Sequence, residues 1–533
     1  MSIDRFLRRS FLAGAGAGAA SYVLSAQGSP TGQGNAAGQS EFPVTAFGAK
    51  GDGKTLDTTG INKAIDAAAA AGGGTVAFPA GKYLCYSIRL KSKVGLHLGQ
   101  GATIVAADPP PAGAGGGYDE AEPNAWGQFQ DYGHSHWRNS LIWGEELTDI
   151  AITGPGLIWG KGLSRGTGTD TPTAEDPRVG NKAISLKNCR NVTLRDFAIL
   201  KGGHFGVLAT GVDNFTVDNL KIDTNRDGID IDCCRNVRVS DCSVNSPWDD
   251  AICLKSSFGL GYARATEMVT ITNCLVSGSF ALGSLLDGSY QPVPTGERIP
   301  RTGRIKFGTE SNGGFKNITV SNCVFDGCGG LALESVDGAV VEDIAIANIT
   351  MRDISNAPIF LRLGRRMRGP EGVPVGVMRR VILSNIVCSN SVSRYASIIS
   401  GIPGHLIEDL KIRDVYIQHQ GGGTAEMAAI QPPEDEMAYP DPHRFGDLPA
   451  HGFFIRHARN LELSNIQIEA LKPDLRPAFW LKDVQDASLF RIKAPREADA
   501  PAFVLSGVRD FSIEASQPLA ADTRRDQADG VRF

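Results

Sequence analysis

The sequence predicts an all-β fold, a single-stranded parallel β-helix (a solenoid) with a capping helix at its N-terminal end. Three observations predict it. The stretch NRDGIDIDCCRNVRVSDCSVNSPWDDAICLK, Asn225 to Lys255, repeats when displaced by 23 residues: Ile229 falls on Ile252, Ile231 on Leu254, Gly228 on Ala251, Asp227 on Asp250 and Arg226 on Asp249. From Ser140 almost to the C-terminus the chain is a series of apolar/polar alternations turned at Asn or Asp, such as CRNVTLRDFAIL, CRNVRVSDCSV, FKNITVSNCVF and ARNLELSNIQI. A period of two is that of a strand, not of a helix. Asn191, Asn214 and Asn236 follow one another at 23 and 22 residues, one turn of a repeat fold. A sandwich or a propeller fits this near-constant spacing poorly.

Residues 1–26 read as a twin-arginine signal peptide. Arg8-Arg9-Ser10-Phe11-Leu12 is followed by an Ala/Gly stretch from Leu12 to about Leu24, with cleavage expected near Ala26. The stretch is too short and too rich in small residues for a stable membrane anchor. The expected destination is the periplasm or the outside of a bacterial cell. Residues 27–41 are a Gly/Ser/Gln linker, and 42–533 form one solenoid domain. The chain of 533 residues carries a formal net charge of −5 and no basic tract, which argues against nucleic acid as a partner.

The domain opens with a Gly-Asp-Gly turn at 51–53. Asp57 or Thr58 can cap a helix with Ile61, Ala64, Ile65 and Ala68 on one face, ending at Gly72. Such a helix covers the open end of an apolar solenoid core. The strands TVAF, YLCYSIRL and VGLHL follow. Residues 105–140 break the pattern and carry Trp126, Phe129, Tyr132, His134, His136 and Trp137, aromatics that either stack on a sugar or pin the loop. Further insertions fall at 256–265 with 283–303, and at 421–452, the last with Tyr439, His443 and His451 and with His419 just before it. Insertions in a solenoid leave from one face and often build its site.

The ten cysteines suit either an exported protein's disulfides or a buried ladder, since several recur at one repeat position in SDC, TNC and SNC. No C-x-x-C zinc pattern is present, and His134-x-His136 lacks a nearby third ligand. No metal and no cofactor are expected.

Stacking the two repeats sets Asp227, Asp249 and Asp250 side by side where the chain enters the strands, with Asp230 and Asp232 alternating outward. Three close carboxylates repel one another, so one holds its proton to higher pH. That is the acid and base pairing of glycoside hydrolysis. Solvated turn aspartates are the plain alternative. Arg304 and Lys306, two apart on a strand, share a face and suit a carboxylate ligand.

The phrases FGAKGDGKTLDT (47–58) and GGGTVAFPAGKY (72–83), followed by Asn225-Arg226-Asp227-Gly228, Trp248-Asp249-Asp250-Ala251 and Arg304-Ile305-Lys306, resemble glycoside hydrolase family 28. This is the polygalacturonase family of right-handed parallel β-helix enzymes. The resemblance implies Asp249 as general acid, Asp227 and Asp250 as the residues that hold and deprotonate water with inversion at the anomeric carbon, and Arg304 and Lys306 as contacts to a uronate carboxylate. Arg226 replaces the family's Thr, and the Gly-His-Gly motif is missing: SGSFALGS, Ser277 to Ser284, has no His. These departures suggest a substituted or branched galacturonide, with Arg226 beside the carboxylates or a further anionic group. His204, one turn before Asp227, is a candidate substrate contact or a structural histidine, and Glu310 a weaker candidate. The implied partner is an acidic plant-type polysaccharide or oligosaccharide, polygalacturonan or rhamnogalacturonan, met by a monomer. Two rivals stay open: a β-helix lyase using Arg304 or Lys306 as base beside an aspartate-held calcium, and a non-catalytic glycan-binding solenoid.

Overall fold

The strand Asp227–Asp232 pairs in parallel with Phe205–Thr210 before it and with Ile252–Ser256 after it. The register sets Ile229 opposite Ile252 and Ile231 opposite Leu254, the partners given by the 23-residue displacement. From residue 41 onward the described strands repeat this step in a right-handed parallel β-helix. The computed structural model describes residues 40–111, 113–165, 173–292, 294, 299–497 and 500–533. The twin-arginine segment lies outside them, as does the linker up to residue 39. Glu41, assigned to the linker, instead starts the first strand, Glu41–Pro43. Among the described residues no helix is long and apolar enough to cross a membrane.

Each early turn has three strands. One turn runs Lys182–Lys187, Arg190–Arg195 and Ala198–Leu200; the next runs Phe205–Thr210, Asp213–Asp218 and Lys221–Asp223, paired strand for strand. Asn191, Asn214 and Asn236 sit at the corner with φ of 57°, 53° and 55°. Asn tolerates this left-handed backbone, and its amide reaches the next turn. Asn214 donates to Asn191 at 2.9 Å, and Asn236 donates to Asn214. Later turns fuse two strands into one, as in Phe315–Asp326 and Val340–Arg352.

The helix Thr58–Ala70 buries Ile61, Ala64, Ile65 and Ala68 over the first turn. Neither expected capping side chain does that work. The Asp57 carboxylate accepts from Lys50 N and Gly51 N at 2.6 and 3.0 Å, tying down the Gly-Asp-Gly turn, and Thr58 Oγ1 accepts from Tyr86 N. At the far end Val508–Glu514 pairs antiparallel with Thr523–Ala528, which stops the parallel ladder. All ten cysteines are free and buried. Cys242, Cys274 and Cys323 stack on successive turns, the ladder rather than the disulfide alternative.

The insertions are pinned by buried arginines. Arg362 and Arg456 share Ser400 Oγ, donate to Glu434 O and to the carbonyls of Pro432 and Pro433, and lie over the Phe445 ring at 5.3 and 5.0 Å. This fixes 421–452 on the solenoid. A further insertion, 364–376, has no strong signal in the sequence. Its Arg368 donates to Phe129 O at 2.7 Å and pairs with Asp131, so it anchors the 105–140 loop. In that loop Trp137 is buried and Trp126 is 40% exposed, so its aromatics divide between pinning and exposure.

Candidate active site

Two consecutive corners build the site. The chain leaves Lys221–Asp223 through Thr224-Asn225-Arg226 into Asp227, and one turn later leaves Ser243–Asn245 through Ser246-Pro247-Trp248-Asp249 into Asp250. Gly228 follows Asp227 because the turns touch there: a Cβ would lie 2.4 Å from Val244 Cγ1 and 2.5 Å from Ala251 O. Asp250 N donates to Asp227 Oδ1 at 3.3 Å. One carboxylate oxygen from each of Asp227, Asp249 and Asp250 lies within 4.8 Å of the other two. A water hydrogen-bonded to two carboxylates at about 2.7 Å each can span such a gap.

The three differ in environment. The Asp249 side chain is the open one, 26% exposed, and takes Arg226 Nη2 at 2.9 Å. Asp250 is buried. Burial would raise its pKa, but Lys306 at 3.3 Å, Arg304 at 2.9 Å and the charge of Lys255 outweigh this and hold it below the usual carboxylate range. Burial, with the charges of Asp230 and Asp249, pushes Asp227 well above that range. So the proton expected somewhere in the trio is retained on Asp227.

Several contributors escaped the sequence reading. Asp230 does not alternate out to solvent. It is wholly buried beside Asp227, and burial raises it to about 7 against the pull of Lys255. Asp232 is likewise buried, accepting from Ser257 N and Oγ at 2.7 and 2.6 Å. Lys255 Nζ stands 3.3 Å from Glu310, 3.8 Å from Asp230 and 3.9 Å from Asp227. Glu334, in no motif, lies 3.7 Å from Lys306 and 4.0 Å from Arg304. Tyr439, from the 421–452 insertion, accepts from Lys306 Nζ at 3.2 Å and from Thr309 Oγ1 at 2.9 Å. The signal for Tyr439 was its place in an insertion; for Glu334 there was none.

Three expected substrate contacts are otherwise engaged. Arg304 and Lys306 do point the same way, but both are buried and their charges meet Asp250 and Glu334. A uronate carboxylate would have to compete with those partners. His204 is buried, stacked on Phe205 at 4.2 Å behind His134, so it packs under the 105–140 loop instead of facing solvent. His134 itself comes forward. Asp131–His134–Glu310 and His134–Asp227–Asp230 each gather ligand atoms within 4.8 Å. Among the described residues, these sets and the three motif aspartates are the ones able to hold a metal. Lys255 already supplies a positive charge among them, so an ion would compete with it.

Residues 124–293 match the model of glycosyl hydrolases family 28, and 42–108 match one described as rhamnogalacturonase A/epimerase, pectate lyase-like. A probable polygalacturonase of Vitis vinifera is 28% identical over 306 residues, 51% of this chain and 58% of that protein. An exo-poly-alpha-D-galacturonosidase of Dickeya chrysanthemi is 28% identical over 263 residues, 40% of this chain and 42% of that one. The chain is thus similar to glycosyl hydrolases family 28 over its central part and diverges from it elsewhere. It spans about half the length of these two relatives. Two solved exopolygalacturonases share the fold of this chain. That of Thermotoga maritima has a TM-score of 0.58 at 18% identity, covering 80% of this chain and 91% of its own. That of Yersinia enterocolitica has 0.59 at 18%, covering 90% and 79%. The missing Gly-His-Gly region is here a hairpin, Phe280–Leu282 with Gln291–Pro292, held by Leu285 N donating to Asp223 at 2.7 Å.

Proposed function

We propose that this chain is a family 28 glycoside hydrolase that cleaves α-galacturonosyl-type linkages in a pectin-like polysaccharide or its oligosaccharides, outside the cytoplasm after twin-arginine export. The observation that carries the reading is the gathering of Asp227, Asp249 and Asp250 within 4.8 Å at one corner. The names of the polygalacturonase relatives support the substrate class.

Asp249, the open carboxyl, is the proton donor to the leaving oxygen. Asp250, kept anionic by Arg304 and Lys306, takes a proton from the attacking water, and Asp227 helps hold that water. The water oxygen bonds to the anomeric carbon as the bond to the leaving sugar breaks, with inversion. After one turnover Asp249 has lost a proton and Asp250 has gained one, so the cycle closes by proton return through Asp227 or solvent. Arg226 donates to Asp249 at 2.9 Å, so a leaving oxygen has to displace the guanidinium to reach this carboxyl. An anionic group on the substrate beside Arg226 would draw the guanidinium away, which favours a substituted galacturonide.

The test is a product assay on polygalacturonate, rhamnogalacturonan and their oligosaccharides. New reducing ends without ultraviolet absorbance, from a product of inverted anomeric configuration, are expected. Absorbance rising with the reducing ends would make the protein a lyase and remove these roles from all three aspartates.

A further inference from the structure

The corner that carries the aspartates is repeated on every turn. Gly160 follows the strand Leu157–Trp159, Lys201 follows Ala198–Leu200, Thr224 follows Lys221–Asp223, and Ser246 follows Ser243–Asn245. A ladder of amide to carbonyl bonds joins them: Gly160 N to Leu200 O, Lys201 N to Asp223 O, Thr224 N to Asn245 O. Each step along this corner is about 4.8 Å, close to the length of one sugar unit.

On the turn of Asp227 and the two turns before it, this corner holds a cavity of about 280 Å³. Gly160, Gly203, Thr224 and Asn225 line it, with Lys161, Lys201 and Arg165 around them. Glycine is needed at the base: a Cβ on Gly160 would lie 2.0 Å from Lys201 O, and Gly203 has a φ of 83°. Lys161 pairs with Asp108 at 2.9 Å at the exposed edge. Lys201 is exposed and forms no ion pair among the described residues. Two lysines against one carboxylate, Asp108, leave positive charge at this edge of a chain of net charge −5. By contrast the buried pair Arg304 and Lys306 has its charge met within the protein.

We infer that this cavity is a subsite for the carboxylate of a second uronic acid, one or two sugar units from the scissile bond, gripped by Lys201 and Lys161. The inference rests on the proposed hydrolase reading and names where that substrate's charge is recognised. A chain laid along the corner advances about one sugar per turn, so a uronate bound at Asp227 brings a neighbour's carboxylate over Lys201. Lysine suits a solvated carboxylate, as a point charge on a flexible stem.

The test uses the full-length protein with Lys161→Gln and Lys201→Asn together. Asn tolerates the left-handed backbone of Lys201, φ 54°, so the corner is kept while the charge is lost. On trigalacturonate, KM should rise about tenfold, one charge contact's worth, with kcat within about twofold. The rise should be far smaller on the methyl-esterified oligosaccharide. Calorimetry of trigalacturonate binding to Asp249→Asn, with and without the two lysine changes, reads the same contact without turnover. Weaker binding and a shallower salt dependence in the lysine variant are expected. Equal binding by both, or no binding by either, overturns the subsite. Binding that depends on the lysines in a protein that hydrolyses no galacturonide would keep the subsite and remove the hydrolase reading.

Discussion

Two stretches of one corner differ sharply although the same turn builds both. From Asp227 to Glu334 the cations are buried and matched: Arg304 and Lys306 face Asp250 and Glu334, and Lys255 faces Glu310, Asp230 and Asp227. One and two turns earlier Lys201 and Lys161 stand at the surface, with Asp108 the one carboxylate paired to them among the described residues. The difference teaches that a basic residue on a solenoid corner has no fixed use. Where insertions cover the corner, the cation must neutralise the protein's own carboxylates, because an unpaired buried charge is costly. Where the corner is bare, the cation is available to a ligand.

The largest expected effect breaks the matched stretch. Lys306→Met should cost about 3–5 kcal/mol of stability, because Asp250 and Glu334 lose a buried partner. Urea unfolding measures it, and a loss below about 1 kcal/mol would show that the site is wetter than its burial indicates.

A smaller effect sharpens the electrostatics. Burial raises the folded pKa of Asp230 to about 7, well above the usual carboxylate range. The folded state therefore holds a proton there that the unfolded chain has released. The stability this confers is full below about pH 4 and is lost as pH rises through about 7. Asp230→Asn keeps the neutral form at all pH, so its gain in Tm over wild type should be larger at pH 8.5 than at pH 5. An equal gain at both would contradict the assignment.

The smallest effect belongs to the bare stretch. Lys201→Asn should change stability by no more than about 0.5 kcal/mol, as for other exposed sites. A cost as large as that of Lys306→Met would erase the distinction between the two stretches.

The solenoid was legible because its period and its inward Ile and Val positions are local facts of sequence. The pairing of Ile229 with Ile252 follows from spacing alone. The trio of aspartates was legible for the same reason, since stacking one turn on the next brings Asp227 to Asp250. What escaped came from outside the repeat. Tyr439, His134 and Arg368 arrive on insertions whose paths no periodicity sets. Asp230 and Asp232 alternate outward as strand residues should, yet the 105–140 and 256–265 insertions and neighbouring side chains cover that face. Arg304 and Lys306 were correctly set on one face, but Glu334, a turn away and in no motif, changes what they do.

The most direct test of the central claim compares Asp227→Asn, Asp249→Asn and Asp250→Asn with wild type. Reducing-end release from an oligogalacturonide would be followed, with Tm measured for each protein. The account predicts that every variant folds and that each loses at least about a hundredfold in kcat, as expected when a positioned acid or base is removed. A folded Asp249→Asn protein that releases reducing ends at the wild-type rate would contradict it.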